Sequence, residues 1–415
     1  MNFLKILRSV ALVSGVTGLL NLGVSIAFSF FMTSEQYGLY TYWLSIYLIL
    51  LNLIPFGAVA AATVFRFNTN LREYKAMLTT SVFLIMPCIM MMVLAFMYIK
   101  SLLFTPLFTL GYLAPISAFF YSIVMILVSI LRVEQRFKVY SNLFIGFVVL
   151  VSILQVCAYY TYNSLEAVIY SHTIGTLIVG TSSLIILIRT FNIKLSLKLY
   201  IKSMNNIREL IRYGYPVVFG SVLMSFMVVG DKIILKELVS DKEMGIYSSI
   251  VVVCSTTLFL VNNFASAWGG YLVKKLPELK HYDSRAFFLS TQRRVLPVFF
   301  ILTSIIISTQ FLLYLSVYGF MSDSYLYTLI KVSLGYCIYG VSKYYVGFMM
   351  YYRNNKEVFT ATALGITVMV LCSSFGVASP VDNVSLSVLF GFSFQLLYLV
   401  LFVNKRMYGE HKDVL

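Results

Sequence analysis

Acidic side chains are scarce in this chain. Its 415 residues hold 16 Asp and Glu against 31 Lys and Arg, and charged residues of both signs make up only 11%. Water-soluble domains carry about 25%, so a soluble globular protein is excluded. Cysteine is also sparse: Cys88, Cys157, Cys254, Cys337 and Cys372 all fall in apolar stretches, and none stands at metal-ligand spacing from another Cys or His. That pattern argues against a disulfide framework or a zinc site and for small apolar packing residues. No GxxxxGK[ST] loop is present, so ATP hydrolysis has no recognisable seat and no cofactor is implied.

What the chain has instead is hydrophobic length. Sixty per cent of its residues are hydrophobic. The opening Met1–Arg8 is basic, and the apolar run after it reaches from Ser9 to Met32. That exceeds the ~7–15 residues of a signal-peptide core, so a first membrane span is expected in place of a cleaved leader. Apolar stretches at 9–33, 38–63, 77–99, 107–131, 140–161 and 166–188 are followed by others at 213–236, 244–267, 295–317, 326–350, 358–378 and 384–403. The expected fold is all-α and integral to the membrane, with about twelve transmembrane helices. Lipid-exposed backbone must satisfy its own hydrogen bonds, and these segments are too long for barrel strands.

Lys and Arg set the orientation. With the N-terminus inside, alternate connections collect 25 of the 31 basic residues, including six between 189 and 212 and six between 274 and 294. The other side receives Lys100, Lys232, Lys236, Lys242 and Lys331, and Lys343 is left inside a span. This asymmetry leads us to expect both termini on the cytoplasmic side of the membrane. The net charge of +15 therefore reads as topology, with attraction to anionic lipid secondary and no nucleic acid required. The outer loops are short, as at Ser34–Tyr37, Asn163–Leu165 and Ser379–Val384.

A repeat divides the chain. Glu35-Gln36-Tyr37-Gly38-Leu39-Tyr40 and Lys242-Glu243-Met244-Gly245-Ile246-Tyr247 place their Gly-aliphatic-Tyr triplets 207 residues apart, each opening a helix after a short outer loop. Val139-Tyr140-Ser141 and Val358-Phe359-Thr360 echo each other more weakly. Two parallel six-helix halves are expected, 1–190 and 213–415, joined by a basic cytoplasmic linker at 191–212. Such halves suit alternating access around a central cavity.

These motifs, together with Tyr213-Gly214-Tyr215-Pro216 and Gly230-Asp231-Lys232-Ile233-Ile234-Leu235, resemble those of the Wzx-type polysaccharide flippases. That family belongs to the multidrug/oligosaccharidyl-lipid/polysaccharide exporter (MOP) superfamily, and the resemblance runs through essentially the full length. It implies a non-enzymatic flippase that moves undecaprenyl-pyrophosphate-linked oligosaccharide repeat units to the periplasmic leaflet. Their polymerisation into O-antigen of lipopolysaccharide, capsule or exopolysaccharide would involve a polymerase and a chain-length regulator as partners. Coupling to a proton or sodium gradient is also implied.

Ionisable groups at membrane depth are functional candidates by default. Lys343 stands in the otherwise uncharged stretch Val332–Tyr352; it either attracts a pyrophosphate or acidic sugar, or snorkels and pairs within the bundle. Asp231 and Lys232 form either a cation-coupling site or a structural pair, with Lys236 one turn on. Arg66 either meets pyrophosphate at the cytoplasmic entrance or anchors the span. Asn262, Asn263 and Asn21 bond either sugar hydroxyls or neighbouring helices. His172, the one intramembrane histidine, either titrates or is structural. Pro55, Pro87 and Pro115 lie within spans and are expected to kink them.

Two other functions compete. A cation-coupled multidrug antiporter would need deep carboxylates, yet the first six helices have none away from their ends. A membrane polysaccharide polymerase or ligase would be expected to carry a large outer loop, and none is present.

Overall fold

The computed structural model describes residues 3–409 apart from 69–70, 104–108, 135, 192–196, 276–280, 319–322, 352–354 and 376–378. Lys194, Lys280, Arg353 and Lys412 of the basic count lie outside the described residues, as does the side chain of Asn263. The described secondary structure is entirely helical. The helices are α1 (Phe3–Phe31), α2 (Ser34–Leu53), α3 (Ala58–Asn68), α4 (Leu71–Thr80), α5 (Met86–Leu103), α6 (Leu113–Val133) and α7 (Phe137–Tyr162). There follow α8 (Leu165–Phe191), α9 (Leu197–Lys236), α10 (Asp241–Lys275), α11 (His281–Tyr318), α12 (Asp323–Tyr351), α13 (Asn355–Ser374) and α14 (Pro380–Gly409).

Every apolar stretch read from the sequence carries helix, and among the described residues nine segments are long and apolar enough to cross a membrane. α2 and α12 fall outside that set because they are rich in Tyr, Ser and Thr. Both are largely hidden within the protein, where Tyr37, Tyr40, Trp43 and Tyr47 of α2 and Tyr336, Tyr339, Tyr344 and Tyr345 of α12 are buried. A helix screened from lipid by other helices has less need to be apolar. The converse holds on α5 and α11, where Met91, Met92, Phe96, Phe300, Ile301 and Ile305 are exposed, as lipid-facing side chains should be.

The prolines act differently from one another. Pro55 ends α2: Phe56 and Gly57 take positive φ of 44° and 74°, and α3 restarts at Ala58. Pro87 follows a π-helical turn at Ser81–Ile85, the kind of local widening that accommodates a residue with no N–H to donate. Pro115 departs from the expected kink, since it lies in the first turn of α6, where a missing N–H costs nothing. Pro216 and Pro297 instead sit inside the long helices α9 and α11. Much of the basic sequence at 197–212 and 281–294 is helix continuous with a span, because adding a residue to an existing helix is far easier than nucleating a new one.

Contacts divide the chain into two compact units, 1–24 with 39–225, and 25–38 with 226–415. The boundary passes through α1 and α9. In the first unit α6 and α7 both pack on α8, and in the second α12 and α13 both pack on α14, so one pattern of neighbours occurs twice. Glycines allow the close approaches: a Cβ on Gly180 of α8 would meet the Phe120 carbonyl oxygen of α6 at 2.8 Å, and one on Gly391 of α14 would meet the Gly365 carbonyl oxygen of α13 at 2.9 Å. Helices in membranes often associate through such small residues.

The repeated triplets meet each other within the second unit. A Cβ on Gly38 would strike the Asp241 carbonyl oxygen and stand 2.9 Å from the Gly245 nitrogen, while a Cβ on Gly245 would overlap the Ser34 carbonyl oxygen. The N-terminal turns of α2 and α10 thus cross through reciprocal glycines.

Candidate functional site

In the second unit α12 runs between α10 and α14, so its side chains face protein on several sides. Lys343 is partly buried and its Nζ stands 4.6 Å from the centre of the Tyr339 ring, one turn earlier. That cation–π contact is its only interaction among the described residues, with no carboxylate paired to it. Beside it the Ser342 hydroxyl reaches Gln395 Oε1 at 3.4 Å, and Gln395 Nε2 donates to Thr362 Oγ1 at 3.0 Å. Tyr339 also packs on Phe392, their ring centres 4.8 Å apart. The result is an available ammonium among aromatic and hydroxyl groups, a setting that suits an anion carrying sugar rings.

Asp231 and Lys232 do come together, at 3.3 and 3.5 Å. The Tyr247 hydroxyl donates to Asp231 Oδ2 at 2.8 Å, so the tyrosine of the second repeat copy closes the buried carboxylate. Both the Asp231 and Tyr247 side chains are buried. With two donors on it, Asp231 has its charge compensated.

Arg66 pairs with Glu134 at 3.0 Å and lies 5.6 Å from the Tyr74 ring centre, fastening α3 to the end of α6. Asn262 is exposed on α10, and Asn21 is exposed on α1. Further ion pairs join Lys331 to Asp382 at 2.8 Å and Lys236 to Asp241. The structure thus gathers Asp231 with Lys232, gives Lys343 an aromatic neighbour and pairs Arg66 with Glu134.

Sequence reasoning missed the buried glutamines. Gln310 Nε2 has three acceptors within reach of its two N–H groups, Thr256 Oγ1 at 2.6 Å, Thr257 Oγ1 at 2.9 Å and the Cys254 carbonyl at 3.3 Å, and its Oε1 accepts from Ser333 at 2.8 Å. Cys254 therefore lies in a polar network, within 3.2 Å of the Ser333 hydroxyl. Gln155 donates to Tyr40, the tyrosine of the first repeat copy, at 3.3 Å. The available signal was a lone Gln in an apolar run, which almost requires an interhelical partner. No group of three or more His, Cys, Asp or Glu suited to a metal occurs among the described residues.

A second unusual setting lies in the first unit. His172 of α8 meets Trp43 and Tyr47 of α2 edge-on, with ring centres 5.1 and 5.0 Å away. Trp43 and Tyr47 stack on each other, and Tyr121 of α6 closes on Tyr47 and Phe147. Both ring nitrogens of His172 and the Trp43 indole nitrogen are buried without a hydrogen-bond partner among the described residues.

Residues 5–274 match the family described as polysaccharide biosynthesis protein. No curated protein sequence matches significantly. Among solved structures, the chain is similar to an inward-facing multidrug resistance MATE family transporter of the MOP superfamily, with 11% identity, 96% of each chain covered and a TM-score of 0.71. It is also similar to a MOP superfamily transporter from Pyrococcus furiosus, with 11% identity, 97% of this chain and 96% of that chain covered and a TM-score of 0.63. A eukaryotic MATE transporter gives 13% identity, 99% and 97% coverage and a TM-score of 0.61. At these identities the likeness concerns the fold. The chain is a multi-span membrane protein with the fold of the MOP superfamily, and it belongs to the polysaccharide biosynthesis protein family.

Proposed function

We propose that this protein is a flippase that moves undecaprenyl-pyrophosphate-linked oligosaccharides across the bacterial inner membrane by alternating access. The observation that carries the reading is Lys343, an ammonium inside a helical bundle with an aromatic ring as its only contact among the described residues. A pyrophosphate offers such a group the charge it lacks, and a lysine binds phosphate as a point charge. Neighbouring Tyr339, Phe392 and Ser342 would face sugar rings and hydroxyls. Family membership supports a glycan pathway, and the fold is consistent with a transporter that performs no covalent chemistry.

The polymer would be O-antigen, capsule or exopolysaccharide, with both termini in the cytoplasm and six-helix halves at 1–190 and 213–415. A cation-coupled multidrug antiporter, the alternative reading, would favour an available deep carboxylate. Asp231 is already engaged by Lys232 and Tyr247, which favours an anionic cargo. Deleting the gene should abolish long surface polysaccharide and accumulate single lipid-linked repeat units on the cytoplasmic face. Persistence of long polysaccharide in a strain with no second flippase would overturn the proposal.

A further inference from the structure

Buried polar side chains in this protein are nearly all partnered, as Asp231, Gln155, Gln310 and Gln395 show. His172 is an exception at 8% exposure, and a structural histidine normally spends at least one ring nitrogen on a hydrogen bond. A neutral imidazole carries one N–H donor and one acceptor nitrogen. Neither finds a partner among the described residues, and neither does Trp43 Nε1 beside it.

The surroundings are aromatic and hydroxylic. From α2 the groups around His172 are Trp43 and Tyr47, with Tyr40 one turn before; from α6 they are Tyr121, behind Tyr47, and Ser117, bonded to Thr173 at 3.0 Å. α7 brings Gln155, on Tyr40, and Phe147. Charged residues of these helices stand near their ends: Glu35, Arg132, Lys138, Glu166 and Arg189. No carboxylate pairs with the imidazole among the described residues.

We propose that His172, in its box with Trp43 and Tyr47, is a proton-binding site through which a pH gradient drives transport. The proposal rests on the flippase reading and names its coupling ion. A proton from water adds to the free ring nitrogen, giving an imidazolium with two N–H donors and no acceptor. Aromatic faces attract that cation, and the same proton leaves to water when the site opens to the other side. A sodium ion, as a hard cation, seeks several oxygen ligands, whereas the groups packed on the imidazole are the rings of Trp43 and Tyr47. Asp231, the earlier candidate for coupling, already accepts from two donors.

The test uses full-length protein in liposomes with a fluorescent polyprenyl-pyrophosphate-linked disaccharide. A pH difference of one unit should shift its steady-state distribution between leaflets about tenfold per proton exchanged, while a sodium gradient should not. H172Q should still equilibrate the lipid and lose the response to pH. A full pH response in H172Q overturns the proposal, as does a response of wild type to sodium alone. If wild type moves no lipid under any gradient, the flippase reading itself fails. The proton site is then judged by nitrogen NMR of the three histidines, His172, His281 and His411, with His172 identified by the signal missing in H172Q or, if that variant does not fold, in H172N. Appearance of doubly protonated His172 as the pH is lowered supports the site, and a single neutral tautomer throughout rules it out.

Discussion

Asp231, Lys232 and Tyr247 illustrate how a buried charge is tolerated. The carboxylate accepts from an ammonium at 3.3 Å and a phenol at 2.8 Å. Removing one partner of a buried pair strands the other and costs about 3–5 kcal/mol. D231N should fall near the lower end, because Lys232 retains 12% side-chain exposure. Y247F loses one hydrogen bond, about 1–3 kcal/mol when a buried charged acceptor is left short. D231N/K232M should recover most of the loss, since no charge is left stranded. Thermal midpoints of the purified variants in detergent check all three. A double variant no more stable than D231N would contradict the pairing account. Lys343 behaves in the opposite way: K343A should leave the midpoint nearly unchanged and reduce polysaccharide export more than K343R, which keeps the charge. Complementation of a deletion strain at matched expression reads this, and full activity of both variants would remove Lys343 from the mechanism.

Among helices, the repeat acquires a physical meaning that spacing alone did not carry. Gly38 and Gly245 each occupy a place where a Cβ would strike the opposite backbone, whereas Gly146 and Gly220 have nothing within 4 Å. G38A and G245A should therefore destabilise by about 1–3 kcal/mol through overpacking. G146A and G220A should be neutral or stabilise by up to ~1 kcal/mol, as alanine does inside a helix. Thermal midpoints of the four variants should separate into these two pairs, and a single common shift would sink the explanation. Sequence reading placed both glycines at equivalent starts of helices but could not pair them, because the crossing depends on tertiary geometry. It expected only a kink at Pro55, where the helix in fact ends and restarts at Ala58, and a kink at Pro115, where the true start of α6 at Leu113 lies within the apolar run. The His172 box was invisible for the same reason as the glycine crossing: Trp43 and His172 are far apart in the chain.

At the scale of the whole molecule, the helical stretches were legible because lipid is a uniform solvent that demands long apolar helices. Solvent demands relax inside the bundle, which is why α2 and α12 are the least apolar of the expected spans and why the site residues of α12 were harder to read than its length. Charge asymmetry should orient the whole array. In a variant without native cysteines, N163C should react with an impermeant maleimide from outside intact cells, and R136C only after the cytoplasm is opened. Both positions are exposed, so the reverse labelling would invert the topology. The central claim concerns movement of a lipid. The most direct test is the leaflet distribution of a fluorescent undecaprenyl-pyrophosphate-linked oligosaccharide in liposomes holding the purified protein, read with an impermeant quencher. Wild type should bring the inner-leaflet lipid into reach of the quencher and K343A should do so far more slowly; an inner pool that stays as protected as in protein-free liposomes would contradict the account.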